Sequence, residues 1–447
     1  RRPDGSISIY KEVPVSGLAA GDEKENRRVM DVVRDAFKGK IGMSREEIAR
    51  MAAPLYWTHQ GVRKTAGWAI EEQTLTLVIE EPDEAYPLLI DPSLAWGQWT
   101  GGGGSSSTEI INAIAVSGDE IYVAGVAEGA TAGMESVTFQ GAYSGTDGFV
   151  IEIADGGTPT LNWGQWIGGD GAEVLTVLAV NGDEIYVGGY SASATNWESV
   201  TYQGTHAGLQ EGFVMEIADG GTPALNWGQW MGGNGTENVY ALAVNADEIY
   251  AAGTSTSTTG WETVTFQGAL SGTEGFVVEI ADGASPSLVW GQWLGGTGTD
   301  TIYALAVTGD EIYAGGIATN NTTWETVTFQ GALSGTEGFV IEIADGASPS
   351  LVWGQWLGGT GTDIVYALAV NGDEIYAGGS ATNNTTWETV TFQGALSGTE
   401  GFVIEIADGA SPTLNWGHWV GGTGTDEIKG LAVSAEEIYA GGLSQGS

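Results

Sequence analysis

Three histidines, eighteen tryptophans and fifty-seven acidic side chains are what this sequence offers to chemistry. His59, His206 and His418 stand far apart, and none has a Ser or an acid at a recurring spacing, so no Ser-His-acid hydrolase arrangement is spelled out. His418 replaces a repeated glutamine and His206 sits in a variant insert, positions that suit structural or solvent-exposed imidazoles. A glycosidase needs two carboxyl groups tuned differently, and acids that recur as near-identical copies do not supply that difference. Asp310-Glu311 and its sister pairs could offer oxygens to Ca²⁺. No Asp-x-Asp-x-Asp-Gly loop occurs, however, and the pairs read as turn residues on a solvated face. Residues 101–104 imitate a phosphate-binding glycine loop without the Lys-Ser/Thr or the helix that would complete one. With no cysteine, disulfides, thiolate metal sites and Cys nucleophiles are excluded. No catalytic residue, cofactor or metal ligand is assigned, and a non-enzymatic protein is expected.

The tryptophans form two sets. Trp-Gly-Gln-Trp recurs at 96–99, 163–166, 227–230, 290–293 and 353–356, and Trp-Gly-His-Trp follows at 416–419. Residues three apart on a strand point to opposite faces, so both faces of this strand are expected to be buried. Sugar-stacking platforms are the other reading, but regular placement inside a strand favours packing. The second set, Trp197, Trp261, Trp324 and Trp387, falls in inserts, and repeat proteins gather binding residues on such loops. These four are the candidate partner or glycan face. Asn234, Asn320, Asn321, Asn383 and Asn384 each begin an Asn-x-Ser/Thr glycosylation acceptor.

The elements that would position these residues are set by a period. The second Trp of the motif advances by 67, 64, 63, 63 and 63 residues, and residues 294–356 differ from 357–419 at seven positions. Near-identical copies carry architecture in preference to a unique active site. Four extended runs bounded by Gly, Asn, Asp or Pro occupy 302–307, 311–316, 338–343 and 351–357. The first two are joined by Thr308-Gly309-Asp310, with Asn181-Gly182 and Asn371-Gly372 in sister units, pairs that tolerate the positive φ of a tight hairpin. The first two runs carry Ala304, Ala306, Ala314, Gly315 and Gly316, and the last carries two Trp, so the sheet widens from one edge to the other. Four antiparallel strands widening outward make one blade of a β-propeller. Residues 325–330 alternate and suggest an added strand in the insert.

The unit resembles the bacterial β-propeller-repeat (SBBP-type) family through Ala306-Val307, Ile312-Tyr313-Ala314-Gly315-Gly316, Gly338-Phe339-Val340 and the Trp motif followed by Gly358-Gly359. Residues 86–92 are similar to the segment that introduces the first repeat in such proteins. The resemblance covers about 85–442 and implies a secreted or cell-surface protein. The insert between the second and third runs is longer than in the family, so no loop function is carried over.

The expected fold is all-β: a six-bladed β-propeller of four-stranded antiparallel blades with a small N-terminal α+β segment. Residues 1–84 make that segment. Asp22-x-x-Glu25 and Ser44-x-x-Glu47 open two short helices, and 74–80 alternates like a strand. Residues 85–447 make the propeller, with outer strands of a split blade in 85–99, five full blades in 100–426 and inner strands of the split blade in 427–447. Joining the two halves closes a ring and removes its edges, and sharing them between copies builds a filament or lattice.

Charge bears on partners. Up to Trp96 the chain has 13 basic and 16 acidic residues, and after it one basic residue faces 41 acidic ones, a balance of -40. Such a body repels phosphate backbones and anionic lipid surfaces. No run of 18 apolar residues occurs, so no membrane-spanning helix is expected. The first residue is Arg1, from which removal of an upstream signal or propeptide is expected. Other surface proteins, glycans or copies of itself are the expected partners. The expected function is a structural, adhesive or self-assembling surface component, with a glycan-binding module or a polysaccharide-active propeller hydrolase as alternatives.

Overall fold

The computed structural model describes residues 108–445, apart from loop stretches at 129–136, 156–158, 320–326 and 383–389 and several shorter ones, together with six short strands before residue 92. The chain divides into two compact units, Arg1–Gly97 and Gln98–Ser447. In the first, Tyr10–Glu12, Thr74–Val78 and Gly67–Glu71 form one three-stranded sheet, and Arg63–Thr65, Leu55–Trp57 and Leu89–Asp91 form another. The strand expected over 74–80 is present. The helices expected after Asp22 and Ser44, and the Trp motif at 96–99, lie outside the described residues.

The second unit is a β-propeller, all-β throughout its described residues. Five complete sheets follow one another, and a hairpin of Thr425–Ser434 and Glu437–Gln445 comes last. In the fourth sheet Asp300–Thr308, Glu311–Thr319, Thr336–Ala344 and Ser350–Leu357 pair antiparallel in that order. Gly309, at φ 57°, makes the first turn, as the sequence pattern expects.

Blades have five strands instead of the four expected from the runs. The insert returns along the outer edge, where Phe329–Gln330 pairs parallel to the Trp strand through Phe329↔Gly354 and Gln330↔Gln355. The glycine of the motif makes this fit: a Cβ on Gly354 would stand 2.5 Å from the Phe329 ring. Phe329 then stacks on Trp356 at 4.2 Å. As for the six blades expected, the described residues supply five complete sheets and one two-stranded hairpin, and Leu89–Asp91 pairs with Leu55–Trp57.

The core lies between blades. Successive first strands run against one another, which makes them the innermost. In each seam between complete blades the first Trp of one blade belongs to the same buried cluster as the second Trp of the next: Trp163 with Trp230, Trp227 with Trp293, Trp290 with Trp356, and Trp353 with Trp419. The two tryptophans of one strand thus serve opposite faces. Trp353 is 2% exposed and Trp356 is 5% exposed, and burial on this scale dominates the energy of a core. Gly315 gives the seam its close approach, since a Cβ there would meet Val365 of the next blade at 2.8 Å.

Candidate functional site

Two sets of carboxylates occupy each seam between complete blades, one at each end of the third strand. At the far end, a Glu that begins the second strand, a Glu of the third strand and an Asp from the neighbouring blade converge on a tyrosine. Tyr122 donates to Glu120 at 2.9 Å and to Asp219 of the next blade at 2.6 Å, and Trp163 Nε1 donates to the other oxygen of Asp219 at 2.9 Å. Tyr186, Trp227 and Asp282 repeat the pattern, as do Tyr250, Trp290 and Asp345, and Tyr313, Trp353 and Asp408. Ligand oxygens of Glu120, Glu152 and Asp219 lie within 4.8 Å of one another, and so do those of Glu248, Glu279 and Asp345 and of Glu311, Glu342 and Asp408. Burial and the flanking carboxylates push every one of these tyrosines well above its usual range, so each stays a donor.

The third-strand Glu is treated differently from blade to blade. Its partner strand bulges at one residue, which is Asn162, Asn226 or Asn415 in three blades and Val289 or Val352 in two. The asparagine amides donate to Glu152, Glu216 and Glu405. Valine donates nothing there. Burial, then the charges of Asp345 and Glu248, push Glu279 up to about 7. Burial, then Asp408 and Glu311, do the same to Glu342, also to about 7.

At the near end the pairs are Asp147 with Glu173, Glu211 with Glu237, Glu274 with Asp300, Glu337 with Asp363, and Glu400 with Asp426. None of the ten is more than 2% exposed. In each pair one acid starts a third strand and the other starts the first strand of the following blade, where a parallel bridge such as Thr336↔Thr362 joins the two. Backbone amides hold them: Ser334 N donates to Glu337 at 2.9 Å and Gly359 N to Asp363 at 2.9 Å. The preceding glycine lets the carboxylates close in, for a Cβ on Gly358 would lie 1.9 Å from Glu337 Oε2 and 2.5 Å from Asp363 Oδ2.

A third feature lines the innermost strands. Each first strand bulges at one residue, successively Asn112, Thr176, Tyr240, Tyr303, Tyr366 and Lys429. Tyr240, Tyr303 and Tyr366 approach ring to ring at 5.6 and 5.5 Å, and Lys429 Nζ sits 3.2 Å over the Tyr366 ring while pairing with Glu427 at 2.7 Å.

The residues singled out by sequence are scattered. Trp197 and Trp261 are half-buried inside their own blades: Trp197 meets Trp230 edge-on at 4.9 Å, and Trp261 meets Phe276 at 5.0 Å and donates to Ser255 Oγ at 3.1 Å. Trp324, Trp387, Asn320, Asn321, Asn383 and Asn384 lie outside the described residues, and Asn234 is exposed in its loop. His206 packs on Trp230 at 5.0 Å, and His418 is pushed below its usual range by burial. Asp310 is exposed in its turn, but Glu311 faces the seam. An open groove beside the first blade is lined by Gln140, Asn162, Trp163, Thr222 and Pro223.

The seam carboxylates were missed as a site because their partners lie on different blades. Tyr122 and Asp219 are 97 residues apart. The signal was available in phase, since Ala-Asp-Gly, Glu-Ile-Tyr and Phe-Val-x-Glu keep step through every copy.

The sequence matches no protein-family model, and no curated protein matches it. Among solved structures the chain is similar to a putative 6-phosphogluconolactonase from Bacteroides uniformis, at 13% identity and TM-score 0.41 over 74% of this chain and 77% of that one. It is also similar to a GH32 β-fructofuranosidase of Bombyx mori, at 9% identity and TM-score 0.28 over 68% and 63% of the two chains. A levansucrase of B. megaterium is similar at 9% identity and TM-score 0.30 over 71% and 87%.

Proposed function

We propose that this chain is a non-enzymatic secreted or cell-surface propeller with a structural or adhesive role, and that it assembles with copies of itself through its blade seams. The surface location rests on the resemblance of the repeat to the SBBP-type family. The self-assembly rests on the two end faces of the blade series, which are the two halves of the seam used inside the chain.

At the leading end Ile111 and Ile114 are 47% and 66% exposed, whereas their equivalents Leu175 and Leu178 in the next blade are 0% and 7% exposed. At the trailing end Tyr439 is 56% exposed, and a Cβ on Gly441 would meet nothing within 4 Å. Inside the chain the equivalent Gly378 is filled by Ile428 and Leu431 of the following hairpin. The apolar knobs of one end therefore match the empty socket of the other, and a head-to-tail contact of this kind propagates into rings or filaments.

Sedimentation velocity and electron microscopy of the whole chain test this. Concentration-dependent association that Ile114→Lys abolishes is expected, and discrete one-chain rings at every concentration would overturn it. Glycan binding, the other reading, is not favoured by Trp197 and Trp261, whose rings are spent on packing.

A further inference from the structure

In four seams an aspartate of the following blade ends two donors of the blade before it, as Asp408 takes the Tyr313 hydroxyl at 3.1 Å and the Trp353 indole at 2.8 Å. The fifth blade carries the same two donors, Tyr376 and Trp416, and there the pattern stops. Tyr376 donates to Glu374 at 2.7 Å, and the Trp416 indole donates to Glu405 of its own blade. Trp416 is half-buried, whereas its four equivalents are at most 2% exposed. A phenol and an indole that hold a carboxylate in four seams are thus in place in the fifth, and among the described residues no aspartate of a following blade meets them.

The missing acceptor belongs to a strand. Each seam aspartate directly follows a third strand, as Asp408 follows Thr399–Ala407, and that strand lies antiparallel on the second strand of its blade, from Glu374↔Ala407 to Thr382↔Thr399. The second strand of the last hairpin, Glu437–Gln445, pairs with Thr425–Ser434 and, among the described residues, with no third strand. Eight of its nine residues are exposed, against one of nine in the equivalent Glu374–Thr382. It holds neither Pro nor Lys, residues that guard an edge against further pairing. An open edge next to two waiting donors fits one kind of partner, an extended apolar segment that closes on an aspartate.

Residues 88–91 read Leu-Leu-Ile-Asp, an apolar run closing on an aspartate as Ile406-Ala407-Asp408 does. Leu89–Asp91 is a strand at the margin of its sheet, paired there with Leu55–Trp57. These residues precede the first blade in the chain, and the head-to-tail contact proposed above brings that blade of one copy to the last hairpin of another. Resting on that contact, we propose that residues 88–91 of a second copy add antiparallel to the open edge, with Ile90 opposite Glu437, and set Asp91 against Tyr376 and Trp416. Each copy then supplies the third strand of its neighbour's last blade, and backbone hydrogen bonds join apolar packing in holding the assembly.

The chain has no cysteine, so two placed ones report the contact. Full-length Ile90→Cys and full-length Glu437→Cys are mixed and oxidised; each carries a single thiol, so a disulfide joining the two kinds marks contact between copies. The mixed dimer is expected in excess over either like pair, and to fall about tenfold when the first chain also carries Asp91→Asn, which takes a charged acceptor from the two donors. Leu88→Cys with Tyr439→Cys, the next such pair in this register, serves if either first variant fails to fold. Mixed dimers no more abundant than like pairs, in a chain whose sedimentation still shows the association that Ile114→Lys abolishes, would overturn the strand exchange and leave the seam contact standing. Absence of any association would overturn both.

Discussion

Tyr122 of the first blade donates its hydroxyl to Asp219 of the second at 2.6 Å, and Trp163 Nε1 holds the other oxygen of the same carboxylate at 2.9 Å. One acid thus terminates two donors from the neighbouring blade. Asp219→Ala strands the Trp163 N–H, leaves the Tyr122 hydroxyl to Glu120 alone and is expected to cost about 1–3 kcal/mol, whereas Tyr122→Phe, which keeps the packing and the indole partner, should cost about 1 kcal/mol. Urea denaturation of the two variants measures the difference.

Glu279 and Glu342 are raised from the ordinary 4.5 to about 7, so the folded state favours their protonated forms. Their contribution is complete below pH 4.5 and is lost as pH rises through about 7. Val289→Asn is expected to supply the amide that Asn226 gives Glu216, lower the Glu279 pKa and flatten this decline. A gain of about 1 kcal/mol at pH 8, with little change at pH 4, is the expected outcome of denaturation at the two pH values.

A side chain at Gly316 has nowhere to go. Its Cβ would stand 1.9 Å from the carbonyl oxygen of Thr301, inside the ladder of the innermost hairpin. Gly316→Ala is expected to cost more than about 3 kcal/mol, because backbone and not a flexible tip must move. Gly220→Ala, where the nearest atom is 3.6 Å away, is the control expected to shift Tm by little.

Trp261 sits edge-on to Trp293 at 5.2 Å and to Phe266 at 4.9 Å. Trp261→Ala is expected to destabilise by about 2–4 kcal/mol, the range of a truncated packed aromatic. Binding to a sugar array lost with Tm unchanged would show instead that this ring is a ligand platform.

The association proposed through the end faces would have to overcome charge. The part of the chain after Trp96 balances to -40, one basic residue against 41 acidic, so copies repel one another at low salt. Raising ionic strength shortens the reach of that repulsion to below about 10 Å, and sedimentation is expected to show more assembly in 0.5 M salt than in 0.02 M.

Much of this was written locally. The period, the tight turns and the two-faced Trp strand are short-range patterns, and the innermost hairpins carry their small residues in plain view. What was not legible depended on return paths. Phe329 reads as the end of an insert, and its place beside Gly354 appears once the chain doubles back along the outer edge. Glu311 looked like a solvated turn residue because its carboxylate neighbour, Asp408, arrives from the next blade. The near-end acids were hidden for the same reason: Glu337 and Asp363 are 26 residues apart and belong to different sheets.

The four seams between complete blades repeat the same Tyr–Asp and Trp–Asp contacts, so the contacts of one blade can be met by the equivalent residues of another. Removing residues 294–356, one full period, would bring Tyr250 and Trp290 against Asp408 in place of Asp345, with no new contact to invent. Unequal exchange between the repeats can therefore lengthen or shorten the series by whole blades while keeping these contacts, so the number of blades becomes a quantity that the gene can adjust by counting.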